Sequence, residues 1–112
     1  MKEIKAIIQP FMLNKVIEAL RTMPEELPGI VISHVQDYGS THGRDAAVAF
    51  DPVETENKVK LEIVVDEALV EPVLAVIASN AHTGNPGDGK IFVYPVSDII
   101  KIRTGERGVK AI

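Results

Sequence analysis

Apolar and polar positions follow two periods along this chain, and each switch between them marks an element. Glu3 to Gln9 reads as a strand that Pro10 closes. Leu13, Val16, Ile17 and Leu20 recur at helical spacing, which predicts a helix from about Met12 to Met23. Pro24, Pro28 and Gly29 turn the chain out of it, and the β-branched run from Ile30 to Asp37 reads as a second strand. From Lys58 the alternation is clean: Val59, Leu61, Ile63 and Val65 share one face, while Lys58, Lys60 and Glu62 share the other. Leu69, Val73, Val76 and Ile77 predict a second helix, with Pro72 early enough for its missing N–H to matter little. Ile91 to Val96 is a fourth strand.

The order strand, helix, strand, strand, helix, strand is that of an α+β, ferredoxin-like βαββαβ sandwich. Both helices would cover one sheet face. Ile7, Val31, Val64 and Val93 are apolar candidates for the other face, so self-association is expected. Between the second and third strands, residues from about 38 to 57 show no sustained period and form a long loop. A length of 112 residues fits one domain, residues 1–112, and is too short for two.

Composition narrows the function. The chain has no cysteine, which removes disulfides, thiolate metal sites and Cys nucleophiles together, and no signal-peptide pattern, so a cytoplasmic location is expected. No apolar run approaches the roughly 20 residues of a membrane-spanning helix, so no direct membrane insertion is expected. A net charge of −4 argues against nucleic acid as partner. The charge is uneven, however. From Lys90 onward, Lys90, Lys101, Arg103, Arg107 and Lys110 outnumber Asp98 and Glu106. A cationic cluster on an acidic protein suits a small anion.

The segment Thr83-Gly84-Asn85-Pro86-Gly87-Asp88-Gly89-Lys90 is the strongest chemical signal. Its glycines let backbone N–H groups approach an anion, and its lysine adds charge. Gly84 to Lys90 has the spacing of a phosphate-binding P-loop. Ile91 stands where that motif needs a hydroxyl, and the segment runs from helix to strand instead of strand to helix, so the P-loop reading fails. A glycine-rich stretch of this kind is more often a plain turn. Lys90, with Lys101 and Arg103 later in the chain, shifts the balance toward phosphate, since charge-assisted hydrogen bonds contribute about 1.5–3 kcal/mol each.

Thr83 to Val93 followed by Ile102-Arg103-Thr104-Gly105-Glu106, together with Lys5 to Phe11 and Lys58 to Val65, resembles the PII nitrogen-regulatory signalling proteins, in a divergent PII-like branch. The resemblance spans nearly the whole chain. It implies a homotrimer with ATP or ADP in the clefts between subunits, with room for magnesium. It also implies a regulatory protein, hydrolysing ATP slowly at most, that acts on a target membrane transporter or metabolic enzyme through the 38–57 loop. Carried over by position, Gly87, Asp88, Gly89 and Lys90 would meet phosphates and ribose; Lys101 and Arg103 would reach the phosphates from the neighbouring subunit. Glu62, Val64 and Thr83 would line adenine and ribose, and Gly39 would root the loop beside the nucleotide. Lys58 would be a small-anion contact. Ser40 and Thr41 stand where the family has an arginine and a glutamine. The glutamine helps magnesium hold 2-oxoglutarate, and a threonine hydroxyl replaces its amide oxygen poorly, which speaks against 2-oxoglutarate as co-ligand. No tyrosine sits at the loop tip Ala46 to Phe50 for uridylylation.

Two rival readings use other residues. His34, His42 and His82 could belong to a ferredoxin-like metal-binding protein linked to metal tolerance or efflux, but no pair has helical ligand spacing. A phosphate-transferring enzyme would need a base and a metal clamp beside the γ-phosphate. Asp88 and Glu62 are the available carboxylates. Their plainer roles are bracing the turn backbone, for Asp88, and a cross-strand ion pair on the face shared with Lys58 and Lys60, for Glu62.

Overall fold

The computed structural model describes residues 1–38 and 55–112. Among these, β1 (Lys2–Ile8) leads through a short turn of 3-10 helix, Pro10–Met12, into α1 (Leu13–Arg21) and then β2 (Val31–Asp37). After residues 39–54 come β3 (Glu56–Val65), α2 (Glu67–Ala81) and β4 (Gly89–Pro95), and the tail closes in a second 3-10 turn, Gly108–Ala111. The sheet order is β2-β3-β1-β4, and every neighbouring pair is antiparallel. That makes β1 parallel to β2 and β3 parallel to β4, with one helix crossing over in each case. The expected ferredoxin-like α+β architecture is the observed one.

The alternating pattern explains which face is buried. Ile4, Ala6 and Ile8 of β1 and Val59, Leu61, Ile63 and Val65 of β3 point into a single core. Val16 and Leu20 of α1 and Val70, Val73, Ile77 and Ala81 of α2 close it from one side. Fully burying an aliphatic side chain contributes about 1.5–3 kcal/mol, so the two central strands and two helices are held chiefly by this contact. The N-terminus of α2 is capped by Asp66, whose carboxylate accepts from Glu67 N at 2.8 Å.

Two details depart from the expectation. Pro72 lies at the sixth position of α2, past the first turn, so Ala68 lacks its usual i+4 donor. Both residues are exposed, which leaves that carbonyl open to water. Val93 pairs in register with Ile4 and therefore belongs to the helix-covered face. The residues of β4 on the open face are Lys90, Phe92 and Tyr94, opposite Ile7, Lys5 and Glu3. There the Lys5 ammonium sits 5.4 Å from the Phe92 ring centroid and 4.8 Å from that of Tyr94, within cation–π range. Among the described residues, no helix is long and apolar enough to cross a membrane.

Candidate functional site

The glycine-rich segment connects α2 to β4 and curls against the start of β3. Positions without a Cβ make the curl: Gly87 at φ +94° and Gly89 at φ +103° adopt backbone conformations that side chains disfavour. At Gly89 a Cβ would overlap the Ile7 carbonyl, so close pairing of β1 with β4 alone already demands glycine there. The freedom expected to serve a ligand is, at this residue, required by the fold.

Asp88 braces the loop from within. Its carboxylate accepts from Thr83 N at 2.8 Å, from Gly84 N at 3.0 Å and from the Thr83 hydroxyl. Thr83 Oγ1 in turn accepts from Asn85 N at 3.2 Å. The Thr83 hydroxyl and then the Thr83 backbone hold the Asp88 carboxyl below the ordinary carboxylate range. Asp88 therefore stays ionised and bound to its own turn.

Lys58 ties this loop to the sheet. Alternation places it on the open face, where a lysine would ordinarily be solvated, yet it is 2% exposed, and it is the sole buried polar or charged residue among those described. The glycine loop covers it. Its Nζ donates to the Gly87 carbonyl at 2.6 Å and lies 3.5 Å from Glu56 Oε2.

Between this loop and the open face lies a groove of about 420 Å³, lined by Lys58, Gly87, Asp88, Gly89 and Lys90 together with Ile7, Asp37, Asn85 and Phe92. Five of the sequence-predicted residues thus share one site. Thr83 stands behind it as a brace. Phe92, Asn85 and Asp37 were not singled out from the sequence; the polar and apolar alternation from Gly89 carried the signal for Phe92, which sits two residues past Lys90 on the same face.

Glu62 and Val64 are elsewhere. They line a second hollow of about 610 Å³ with Pro28, Gly29, Val31, Ile99 and the C-terminal residues. Glu62 also pairs with Lys60 at 3.5 Å, along its own strand and not across to a neighbouring one as expected. Lys101 and Arg103 follow Ile99 on a reverse turn closed by Gly105 N to Lys101 O at 2.7 Å and Lys101 N to Glu106 O at 2.9 Å. Arg107 Nε braces its base by donating to Asp98 Oδ2 at 2.9 Å. Both cations are exposed and neither lines the glycine-loop groove of its own chain. The candidates therefore fall on two surfaces, one with the glycine loop and one leading to the cationic turn.

Gly39 and His42 lie outside the described residues, as do Ser40 and Thr41. His34 is exposed on β2 and His82 is exposed at the C-terminal cap of α2. Among the described residues, no three His, Asp or Glu side chains are placed to hold a metal ion.

Comparison with known proteins agrees with this architecture. The family model "Nitrogen regulatory protein P-II" matches residues 1–106. The chain is 43% identical to the nitrogen regulatory protein P-II of Azospirillum brasilense and 41% identical to that of Synechocystis, with full coverage of both partners in each case. Among solved structures, Arabidopsis thaliana PII bound to citrate superposes with a TM-score of 0.78 at 40% identity, covering 99% of this chain and 91% of that one. The chain belongs to the nitrogen regulatory protein P-II family.

Proposed function

We propose that this protein binds an adenine nucleotide, ATP or ADP, in a site completed by a second copy of the chain within a homotrimer, and passes the nucleotide's identity to a partner transporter or enzyme. The observation that supports it is the charge of the groove. Lys58 and Lys90 are matched by Asp37 and Asp88 among the lining residues, and Glu56 lies beside Lys58. Among the described residues, one copy alone offers a polyphosphate no net positive charge. The missing cations are Lys101 and Arg103, which the same chain carries on a different surface. A heterologous contact, in which one surface of each copy meets the other surface of the next, closes into a ring and brings them together.

Carried to residues, Gly87, Gly89 and Lys90 hold phosphates from one copy, and Lys101 and Arg103 hold them from the next. Glu62 and Val64, on the second surface, flank the base and ribose. Magnesium, where it accompanies the phosphates, offsets further charge. Asp37 at the end of β2 and Lys58 near the start of β3 both line the groove, so the chain enters and leaves the 39–54 segment beside the ligand. ATP and ADP then favour different states of that segment only by their difference in binding free energy. Turnover is not part of this reading.

Calorimetry with ATP and ADP, paired with light scattering for mass, tests it. A trimer that binds an adenylate supports the proposal; a monomer indifferent to millimolar adenylates overturns it.

A further inference from the structure

We infer that the groove between the C-terminal end of α1 and the start of β2 docks a basic segment of a partner protein, with a bulky aliphatic side chain on the groove floor and lysines or arginines on Glu25 and Glu26. This surface is separate from the glycine-loop groove and from the 39–54 segment. The groove holds about 370 Å³, with Leu20, Met23, Leu27 and Ile30 as its floor and Pro24 and Pro28 in its wall. Leu20 is buried, whereas Met23, Leu27 and Ile30 are half-buried and keep apolar surface in water. The two prolines fix φ on either side of the acidic pair, so less order has to be imposed when an occupant arrives.

Charge then selects the occupant. Glu25 and Glu26 are exposed, and among the described residues neither has an ion pair or a hydrogen bond. Arg21, the cation that lines the groove, is turned toward Glu18 at 3.4 Å. The helix itself ends here, with Thr22 N donating to Glu18 O at 3.1 Å and Met23 N to Leu20 O at 3.3 Å, which sets the partly negative end of its dipole at the groove. Two carboxylates and a helix C-terminus repel a phosphate backbone or an anionic lipid surface and attract a lysine or arginine. A bare hydrated cation gains nothing from the apolar floor, so the occupant carries an aliphatic side chain as well. This chain has one such segment of its own, Ile102 at 98% exposure between Lys101 and Arg103. The proposed function assigns that turn to a neighbouring glycine loop, and on that reading alone the occupant is a different polypeptide.

The test titrates the isotope-labelled full chain with a short amidated peptide of leucines flanked by lysines and reads the backbone amide shifts. Two control peptides carry serine in place of leucine, or glutamate in place of lysine. The expected result is that the largest shifts fall on residues 20–30, with affinity at least roughly tenfold above either control. Glu25→Gln with Glu26→Gln, both at exposed positions, should weaken the leucine–lysine peptide by roughly threefold to tenfold, whereas Glu71→Gln on α2 should leave it unchanged. Shifts spread over the acidic surface, equal binding of the serine peptide, or equal effects of the groove and α2 variants overturn the inference. Shifts of the same amides on raising the concentration of the protein alone would assign the groove to a second copy and overturn it too. ADP titrated into the same samples is read separately, so failure of the nucleotide reading shows as missing ADP binding beside an unchanged peptide response.

Discussion

The ammonium of Lys58 and the carbonyl of Gly87, 29 positions apart in the chain, meet at 2.6 Å and join the start of β3 to the glycine loop. Without this bond the loop is held by its own Thr83–Asp88 brace and by the pairing of β4. Lys58→Met keeps much of the apolar stem and deletes the bond, leaving Glu56 without its buried cation. Stability should fall by about 1–3 kcal/mol in urea unfolding. Amide exchange in the loop should quicken by more than that in the core of α2. Equal acceleration in both would mean that Lys58 supports the whole fold and not this loop.

Gly84 and Gly89 both have positive φ, yet their substitution should cost very different amounts. At Gly84, φ +88°, an added Cβ meets only the His82 side chain at 3.7 Å, so Gly84→Ala should lose about 1–2 kcal/mol from backbone strain. At Gly89 the same Cβ runs into the backbone of Ile7, in the sheet itself. Gly89→Ala should lose about 4 kcal/mol or more and loosen the β1–β4 pair. Chemical denaturation of the two variants side by side measures the gap, and similar losses would contradict the packing described.

These contacts also show how far the sequence could be read. Element order, the buried set on β3 and the paired helices were legible because periods of 2.0 and 3.6 survive in side chains such as Val59, Leu61, Val16 and Leu20. Val93 was assigned to the wrong face because its place depends on register with Ile4, a contact 89 residues away in sequence. The burial of Lys58 was not legible for a related reason: alternation gives its face, whereas its burial comes from a loop that begins 25 residues later at Thr83. The division of the candidate residues between two surfaces is likewise a property of strand order. Glu62 and Lys58 share a strand face yet open onto different hollows.

Asp88 carries a pH dependence with a definite sign. Its folded-state carboxyl titrates below the ordinary 3.8, chiefly because of the Thr83 hydroxyl. Such a group adds stability that is fully present above the unfolded value and is lost as pH falls through the folded one. Asp88→Asn should therefore be less stable than wild type near neutrality, and the deficit should shrink as pH drops below about 4. Asp98, lowered mainly by Arg107, imposes the same trend in both proteins and cancels from the difference. Denaturant titrations from neutral pH into this acid range check the convergence. A deficit that stays constant would show that the brace works without its charge.

Under the proposed function, the source of the phosphate cations can be decided by mixing subunits. Lys90 and Arg103 belong to different surfaces of one chain, so Lys90→Ala and Arg103→Ala should each weaken ADP binding, by roughly ten- to hundredfold, without dissociating the trimer. If one site draws Lys90 from one copy and Arg103 from the next, a mixed ring contains a junction where both wild-type residues face each other. It also contains one junction that lacks both. Random re-assembly of equal amounts in a cyclic trimer would restore about one site in four. Calorimetry on the re-assembled mixture should accordingly recover a tight ADP class absent from either variant alone. Were both residues contributed by a single copy, every site would lack one of them, and no mixture could recover tight binding.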